Sequence, residues 1–166
     1  MPMSGYMKQL RQKVGTLLLE IPAVSVAVCD DGGRLLLIRH SERGQWMIPG
    51  GAVEPLEPPA DAAIREMWEE TGLTVELTRL IGVYGGADYL VRYSNGDEVS
   101  YLTVLFAARR LSGDARPDGT EVLEIGYFHQ AEAEQLDMPR WMPEILQAVF
   151  DTAHVGFRRP TWLPEA

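Results

Sequence analysis

Three glutamates at fixed spacing are the residues of this sequence whose types could carry out chemistry together. Glu66, Glu69 and Glu70 lie in the segment Pro58–Thr71, which is predicted to be helical. On a helix they stand at i, i+3 and i+4, so their carboxylates share one face. Each like-charged i,i+4 pair destabilises a helix by roughly 0.2–0.5 kcal/mol. A hard divalent cation that binds oxygen ligands would offset this repulsion.

Local signals predict the helix that carries these carboxylates. Pro58 and Pro59 fit its first turn, because a backbone N–H in that turn has no intrahelical acceptor and proline therefore loses no hydrogen bond there. Gly72 supplies the left-handed residue at which many helices end, and Arg65 can hold the carboxylate of Glu69 four positions later. The opposite face is predicted to pack against the rest of the protein, and its residues are Ala60, Ile64, Trp68 and Thr71.

A longer pattern around this helix resembles a family signature. The segment Gly51–Leu73 fits G-x5-E-x7-R-E-U-x-E-E-x-G-U, where U is a bulky aliphatic residue, and this is the signature of the Nudix hydrolases. The preceding Trp46–Gly51 resembles the strand and turn that come before the signature in that family. Every fixed position is filled, by Gly51, Glu57, Arg65, Glu66, Met67, Glu69, Glu70, Gly72 and Leu73.

The resemblance implies a metal-dependent hydrolase. Its substrate would be a nucleoside diphosphate linked to another group, including nucleoside triphosphates and dinucleoside polyphosphates, and water would attack at phosphorus. The cofactor would be Mg²⁺, with Mn²⁺ as a substitute because both prefer oxygen ligands. Arg65 would orient the carboxylates. The metal ligands that the resemblance implies are Glu66, Glu70, Glu69, Glu57 and the carbonyl of Gly51.

The base that activates the water is left open between two regions. Glu69 or Glu70 could take the proton from within the signature. Many relatives instead use a glutamate from a later loop, and Glu121 stands where that residue is often found. Glu124 competes with Glu121 for this role, and both could also be ordinary solvated carboxylates.

Residues outside the signature could contact the substrate. Arg39, at the end of a predicted strand, and Arg43 could bind terminal phosphates. The tyrosine at position 89, where the ADP-ribose subgroup is expected to have a proline, resembles the dinucleoside-polyphosphate subgroup. Packing or surface roles are the alternative for all of these side chains. A wall for stacking a base could be formed by Tyr84, Tyr89, Arg92, Tyr93 and Tyr101.

A non-catalytic Nudix-fold module that binds a nucleotide as a sensor or regulator is the alternative function. Such modules usually lose one or more glutamates of the signature, whereas all are present here. An isomerase on the same fold is a third interpretation, but nothing in the chain resembles its additional cysteine region. The metal-dependent hydrolase is therefore the prediction.

Composition sets the limits within which this function must work. The 166 residues, 46% hydrophobic and 23% charged, are typical of one soluble globular domain. We predict one Nudix domain over residues 1–155, with an N-terminal helical segment, and a loosely packed tail over residues 156–166. The net charge of −9 argues against nucleic acid as a partner. The resemblance implies a nucleotide-type small molecule as the substrate and a homodimer as the assembly.

The only cysteine excludes an intrachain disulfide and favours the cytoplasm. Cys29 follows an alternating apolar run and is predicted to be a buried, inert thiol. The apolar stretch Val14–Cys29 resembles a secretory signal, but Glu20 and Pro22 interrupt it, and it is too short to span a membrane. The three histidines, which show no metal-ligand spacing, are predicted to be structural or surface residues.

Strands and helices are predicted to alternate along the chain. Asn95-Gly96 is a strong signal for a hairpin turn between two of the strands. This pattern shows α/β character, and the family resemblance specifies an α/β/α sandwich with a central mixed β-sheet. The predicted helices are Tyr6–Leu18, Pro58–Thr71 and Trp141–Thr152, and the predicted strands are Ala23–Cys29, Arg34–Arg39, Thr74–Tyr84, Tyr89–Tyr93, Glu98–Arg110 and Glu124–Phe128.

Overall fold

The computed structural model describes residues 5–151 and 155–157, and its elements follow the predicted alternation of strands and helices. The helices are α1 (Gly5–Val14), α2 (Pro59–Thr71), α3 (Gln130–Ala133) and α4 (Met142–Phe150), with a 3₁₀ turn at Ala87–Tyr89. The strands are β1 (Leu19–Val28), β2 (Leu35–His40), β3 (Trp46–Met47), β4 (Gly50–Ala52), β5 (Thr74–Tyr84), β6 (Leu90–Arg92), β7 (Glu98–Ser112), β8 (Val122–Phe128) and β9 (Gly156–Phe157).

A mixed six-stranded sheet forms the centre of the molecule. Its strand order is β4-β1-β7-β5-β9, and β6 pairs with β7. Strands β1 and β7 are parallel, from Leu19 opposite Val99 to Val28 opposite Ala108, and β5 and β9 are also parallel. Strand β4 is antiparallel to β1, and β5 and β6 are antiparallel to β7. A second sheet has the order β3-β2-β8. The predicted mixed sheet is therefore confirmed.

Two hydrophobic cores lie between the sheets and the helices. One contains Ala62, Ala63 and Met67 of α2 together with the β1 valines Val24 and Val26. The other is built mainly around α4, whose buried residues are Met142, Ile145, Leu146 and Val149. Strand β2 is buried on both faces and contributes to both cores, as expected of a strand covered on each side. Helices therefore cover the sheets from two sides, as the predicted sandwich requires.

The packed face of α2 is the reverse of the predicted one. Glu66 is 0% exposed and Glu70 5% exposed, while Ile64 is 39% and Trp68 63% exposed. Ala60 is also exposed, and only Thr71 of the predicted packed face is buried. The prediction placed the carboxylates in water because charged residues are rarely buried without a partner. Here they have partners, which are described below. The C-terminal prediction is confirmed, since Gly72 has φ 72° and its N–H donates to the Trp68 carbonyl.

One prediction near the end of a strand is wrong. Cys29, which directly follows the last residue of β1, is exposed rather than buried. The tail begins with β9, whose Gly156 lies opposite Gly82 of β5, and the loose packing of residues 156–166 stays a prediction. Thr152, the predicted end of the closing helix, His154 and residues 158–166 lie outside the described residues. Within the described residues, no helix is long and apolar enough to cross a membrane.

Candidate active site

Two glycines of the edge strand β4 allow the acidic helix to approach the sheet. A Cβ on Gly50 would lie 2.1 Å from the carbonyl oxygen of Val24 on β1. A Cβ on Gly51 would lie 2.6 Å from the carboxyl carbon of Glu66. Real Cβ atoms are not found at such distances, so a side chain at Gly50 would push β4 away from β1, and one at Gly51 would displace the Glu66 carboxylate from its place beside β4. The glycines thus bring the backbone of β4 into contact with the carboxylates of α2.

Glu70 is held against this backbone. The Gly50 N–H donates a hydrogen bond to Glu70 Oε2 at 2.9 Å. Burial raises the pKa of Glu70 well above its ordinary value, the Gly50 hydrogen bond opposes this, and the charges of Glu66 and Glu121 raise it further. Burial therefore disfavours the ionised form of this carboxyl group unless a cation compensates its charge.

Glu66 is completely buried and keeps one oxygen available. Arg65 Nη1 donates to Glu66 Oε1 at 2.7 Å, whereas Glu66 Oε2 accepts no hydrogen bond from any of the described residues. Burial raises the pKa of Glu66 to about 7, although the hydrogen bond and charge of Arg65 act against the shift. An unpaired buried oxygen of this kind is destabilising unless another group binds it.

Arg65 joins the carboxylates of the loop and the helix. It donates two hydrogen bonds to Glu57, at 2.8 and 2.9 Å, and one to Glu69 Oε2 at 3.1 Å. A further bond of 3.1 Å reaches the Ala52 carbonyl on β4. The hydrogen bond from Arg65 lowers the pKa of Glu57 and keeps it ionised. The predicted contact between Arg65 and Glu69 is present, and the guanidinium also fixes Glu57 and Glu66.

These residues fit a divalent cation, although the ligands are not assembled in advance. In residues 5–151 and 155–157, no group of three or more His, Cys, Asp or Glu side chains is arranged to hold a metal ion. Glu66 nevertheless has an unpartnered buried oxygen, and Glu70 lies beside the glycine backbone. Carboxylate and carbonyl oxygens are the ligands that Mg²⁺ and Mn²⁺ prefer. The ligand set Glu66, Glu70, Glu69, Glu57 and Gly51 stays a prediction.

Glu121 is brought to the same site by the loop before β8. The carboxylate of Asp118 accepts hydrogen bonds from the N–H groups of Thr120, Glu121 and Val122, at 3.2, 3.1 and 2.8 Å. Glu121 lines the same cavity as Glu70, and its negative charge contributes to the raised pKa of that residue. The rival base, Glu124, instead forms an ion pair with Arg39 across strands β2 and β8.

A cavity of about 490 Å³ runs along the sheet from this site. We call one end the box end; it is lined by Gly50, Gly51, Glu70 and Glu121, and it includes the adjoining network of Arg65 with Glu57, Glu66 and Glu69. The other end, the remote end, is lined by Met7, Arg11, Tyr93, Asp97 and Tyr101. Gly50 lies opposite Ser25 on β1, and Tyr101 lies opposite Ile21. These β1 residues are separated by about 13 Å of extended strand. The cavity therefore has room for a group well beyond the carboxylates.

Some of the residues predicted to contact the substrate line this cavity, and others do not. Tyr89 lines it and stacks on Trp141, with ring centroids 5.9 Å apart. Tyr84 is 5% exposed and belongs to the core around α4 rather than to the cavity wall. Arg39 pairs with Glu124, and Arg92 forms an ion pair with Glu98 on the surface; neither is among the residues that line the cavity.

Several lining residues were not predicted from the sequence. Met7 and Arg11 come from α1, and Trp141 immediately precedes α4. His40, predicted to be structural or at the surface, lines the cavity at the end of β2, and burial lowers the pKa of its imidazole. No local pattern marks these positions, because they reach the cavity only through the tertiary packing of distant parts of the chain.

Comparison with known proteins identifies the family. The profile of the NUDIX domain matches residues 19–149, which is most of the chain. The protein belongs to the Nudix family. This Nudix chain is 43% identical over 79 residues to a MutT-like protein from Streptomyces ambofaciens, an alignment that covers 48% of the chain and 51% of the relative. It is 48% identical over 44 residues to diphosphoinositol polyphosphate phosphohydrolase 2 from Mus musculus, covering 26% of the chain and 25% of the relative.

Solved structures agree with this assignment. The Nudix chain superposes on the crystal structure of a MutT NUDIX hydrolase from Burkholderia pseudomallei with a TM-score of 0.66 and 28% identity, covering 78% of this chain and 98% of the other. The matched part of the chain spans about half of the Streptomyces relative and a quarter of the mouse relative. These matches are shorter than the domain of residues 19–149, and the substrates of those proteins do not carry over to this one.

Proposed function

We propose that this Nudix protein is a Mg²⁺- or Mn²⁺-dependent hydrolase of a phosphoanhydride bond in a nucleoside diphosphate linked to another group. Nucleoside triphosphates and dinucleoside polyphosphates are included in this substrate class. The observation that carries the proposal is the buried carboxylate pair: Glu66 with an unpartnered oxygen and Glu70 bound to the Gly50 N–H. Such a pair, uncompensated, is unfavourable in a folded protein and becomes favourable when a cation binds.

The residues of the box end have separate roles in this proposal. Glu66 and Glu70 hold the cation, with Glu69, Glu57 and the Gly51 carbonyl as the additional candidate ligands. When bound, the cation would neutralise negative charge on the phosphate oxygens and, as a Lewis acid, polarise the phosphoryl group for attack by water. Arg65 keeps Glu57, Glu66 and Glu69 in place through the hydrogen bonds described above. These carboxylates must be ionised to bind the cation, so cation binding releases protons.

Water activation is assigned to a glutamate that lines the cavity. Glu121 and Glu70 both do so, whereas Glu69 is turned towards Arg65. A general base must be within hydrogen-bond reach of the water that it activates. We therefore favour Glu121, which the Asp118 loop places at the cavity, because Glu70 already accepts a hydrogen bond from the Gly50 N–H and is assigned to the cation. Glu121→Gln should lower kcat at an unchanged metal requirement, and Glu69→Gln should lower it less.

The decisive experiment is a substrate panel with and without metal. Nucleoside triphosphates, nucleotide sugars, ADP-ribose and dinucleoside polyphosphates are incubated with Mg²⁺, with Mn²⁺ or with a chelator, and products are separated by chromatography. Turnover of at least one class should require metal and should be lost almost completely in Glu70→Gln, which keeps the shape of the side chain but removes its charge. Circular dichroism of the variant controls for folding.

The same panel can contradict the proposal. Hydrolysis that continues unchanged in Glu70→Gln would show that the activity does not depend on this glutamate of the signature. Binding of a nucleotide by the wild type with no turnover of any class would instead indicate the non-catalytic sensor.

A further inference from the structure

Helix α1 covers part of the cavity without being packed into the protein. None of its ten residues is buried. A second cavity, of about 110 Å³, lies beneath it and is lined by Tyr6, Met7 and Leu10 of the helix together with Ile21 and Pro22 of β1. Hydrophobic burial, the usual source of stability for a docked helix, is therefore small for α1.

One side chain attaches this helix to the sheet. The Arg11 side chain is 9% exposed, and its Nη2 donates to the Glu98 carbonyl at the start of β7 at 2.8 Å. Its Nη1 donates to the carbonyls of Gly15 and Leu17 at 3.0 and 2.7 Å. Arg11 Nε lies 3.4 Å from Asp97 Oδ2. The guanidinium thus joins α1, the turn that follows it and the hairpin between β6 and β7.

The hairpin that Arg11 holds forms the wall of the remote end. Tyr93 and Tyr101 come from its two sides, and their hydroxyl oxygens are 2.7 Å apart. Asp97 is 7% exposed and is held by Asn95, whose Oδ1 accepts from the Asp97 N–H and whose Nδ2 donates to Asp97 Oδ2, both at 3.0 Å. Aromatic faces beside fixed polar groups suit a flat ring that carries hydrogen-bonding atoms on its edge, such as a nucleobase.

Arg11 also has hydrogen-bonding capacity that the described residues do not use. Its Nε is buried and makes no hydrogen bond to any described residue, although Asp97 is close enough for an ion pair. The remote end therefore presents buried polar groups at a distance from the metal ligands that suits the far part of a nucleotide. An edge atom of a ring could accept from this nitrogen.

We propose that Arg11 is a positioning residue that latches α1 onto the β6–β7 hairpin and so closes the remote end of the cavity around the nucleobase of the substrate. This inference rests on the proposed function, since it concerns the part of the same substrate that lies away from the bond to be broken. Arg11 acts on substrate affinity and leaves the chemistry at the box end unchanged.

The test compares Arg11→Ala with Arg34→Ala, in which an equally cationic side chain is removed from a surface ion pair with Asp30. With the preferred nucleotide of the panel, Arg11→Ala should raise KM by about tenfold and leave kcat within about twofold, because charge-assisted hydrogen bonds of the ground state are lost. Hydrogen exchange should accelerate in residues 5–14 and in the hairpin of Arg11→Ala alone. Equal KM values, or a loss confined to kcat, would overturn the inference.

A binding measurement separates this inference from the proposed hydrolysis. Adenosine and guanosine, which lack phosphates, are titrated into the metal-free protein and followed by NMR chemical shifts. Wild type and Arg34→Ala should bind at least one nucleoside, and Arg11→Ala should bind it about tenfold more weakly. Met7→Ala, which shortens a lining side chain and leaves the latch intact, should weaken the same binding if Arg11→Ala does not fold. Absence of nucleoside binding by the wild type would overturn the inference even if hydrolysis is found, and binding without hydrolysis would leave it standing while the proposed function fails.

Discussion

The two ends of the cavity are built in opposite ways. At the box end, Arg65 binds Glu57, Glu66 and Glu69 through a continuous network of hydrogen bonds. The glycines of β4, which lack side chains, allow this strand to approach α2 closely. At the remote end, a helix with no buried residue is attached through Arg11. A site that must place charges around phosphorus needs fixed geometry, whereas a site that admits a variable group tolerates looser contacts. The comparison predicts that chemistry and affinity can be changed separately.

The largest expected effect tests this separation directly. Glu66→Gln keeps the shape of the buried side chain but removes its charge, so kcat should fall by at least about a hundredfold, since a cation contributes several kcal/mol to the transition state. Tyr101→Phe, which removes one hydroxyl from the remote end, should change mainly KM. Steady-state kinetics with the preferred nucleotide measure both. A comparable fall of kcat in Tyr101→Phe would show that the ends are not independent.

A second prediction concerns the stability of the box end. Arg65→Ala leaves Glu66 buried with no cationic partner, and breaking a buried pair in this way should reduce the free energy of unfolding by about 3 kcal/mol. Arg34→Ala breaks an exposed pair and should change it by less than about 1 kcal/mol. Urea unfolding of both variants, followed by fluorescence, gives the comparison. Similar values for the two would contradict the structural role of Arg65.

The third prediction is a pH dependence of the metal-free protein. The pKa of Glu66 is raised from 4.5 to about 7 by burial, so between these values the folded state binds more protons than the unfolded state. The contribution of Glu66 to stability must then fall as the pH rises from 4.5 to 7. In chelator, this fall should be steeper for wild type than for Glu66→Gln, as measured by urea unfolding at several pH values. Parallel curves would contradict it.

The smallest expected effect is in the loop that precedes α2. Leu56 is fully exposed and has φ 67°, a left-handed conformation that is unfavourable for leucine. Asparagine accepts this conformation more readily, so Leu56→Asn should stabilise the protein by about 0.5 kcal/mol. Thermal unfolding should show a slightly higher midpoint. A lower midpoint would mean that the side chain makes a stabilising contact in solution.

The difference between the two ends also explains how much could be predicted from the sequence. The signature is contiguous, so its spacing indicated the helix, its end at Gly72 and the contact between Arg65 and Glu69. The packed face of α2 was predicted wrongly, because the amphipathic rule assumes that charged side chains face water. Glu66 and Glu70 break that rule, as residues at functional sites often do.

The remote end could not be predicted because no local pattern describes it. Arg11 and Asp97 are brought together only by the attachment of α1 to a distant hairpin. Tyr84 and Tyr89 both belong to the core around α4, yet of the two it is Tyr89 that also lines the cavity. Tertiary packing determines which side chains reach the cavity, and it cannot be read from composition or local spacing.

The parallel pairing of β1 with β7 has a consequence for how the protein is made. Ala23 lies opposite Thr103, 80 positions later in the chain, and both line the floor of the cavity. Contacts between such distant parts of a chain are slow to form, because a long loop must close before they contribute any stability. During synthesis, the floor of the cavity therefore remains incomplete until β7 has left the ribosome, although the acidic helix and the β4 backbone that it contacts emerge earlier.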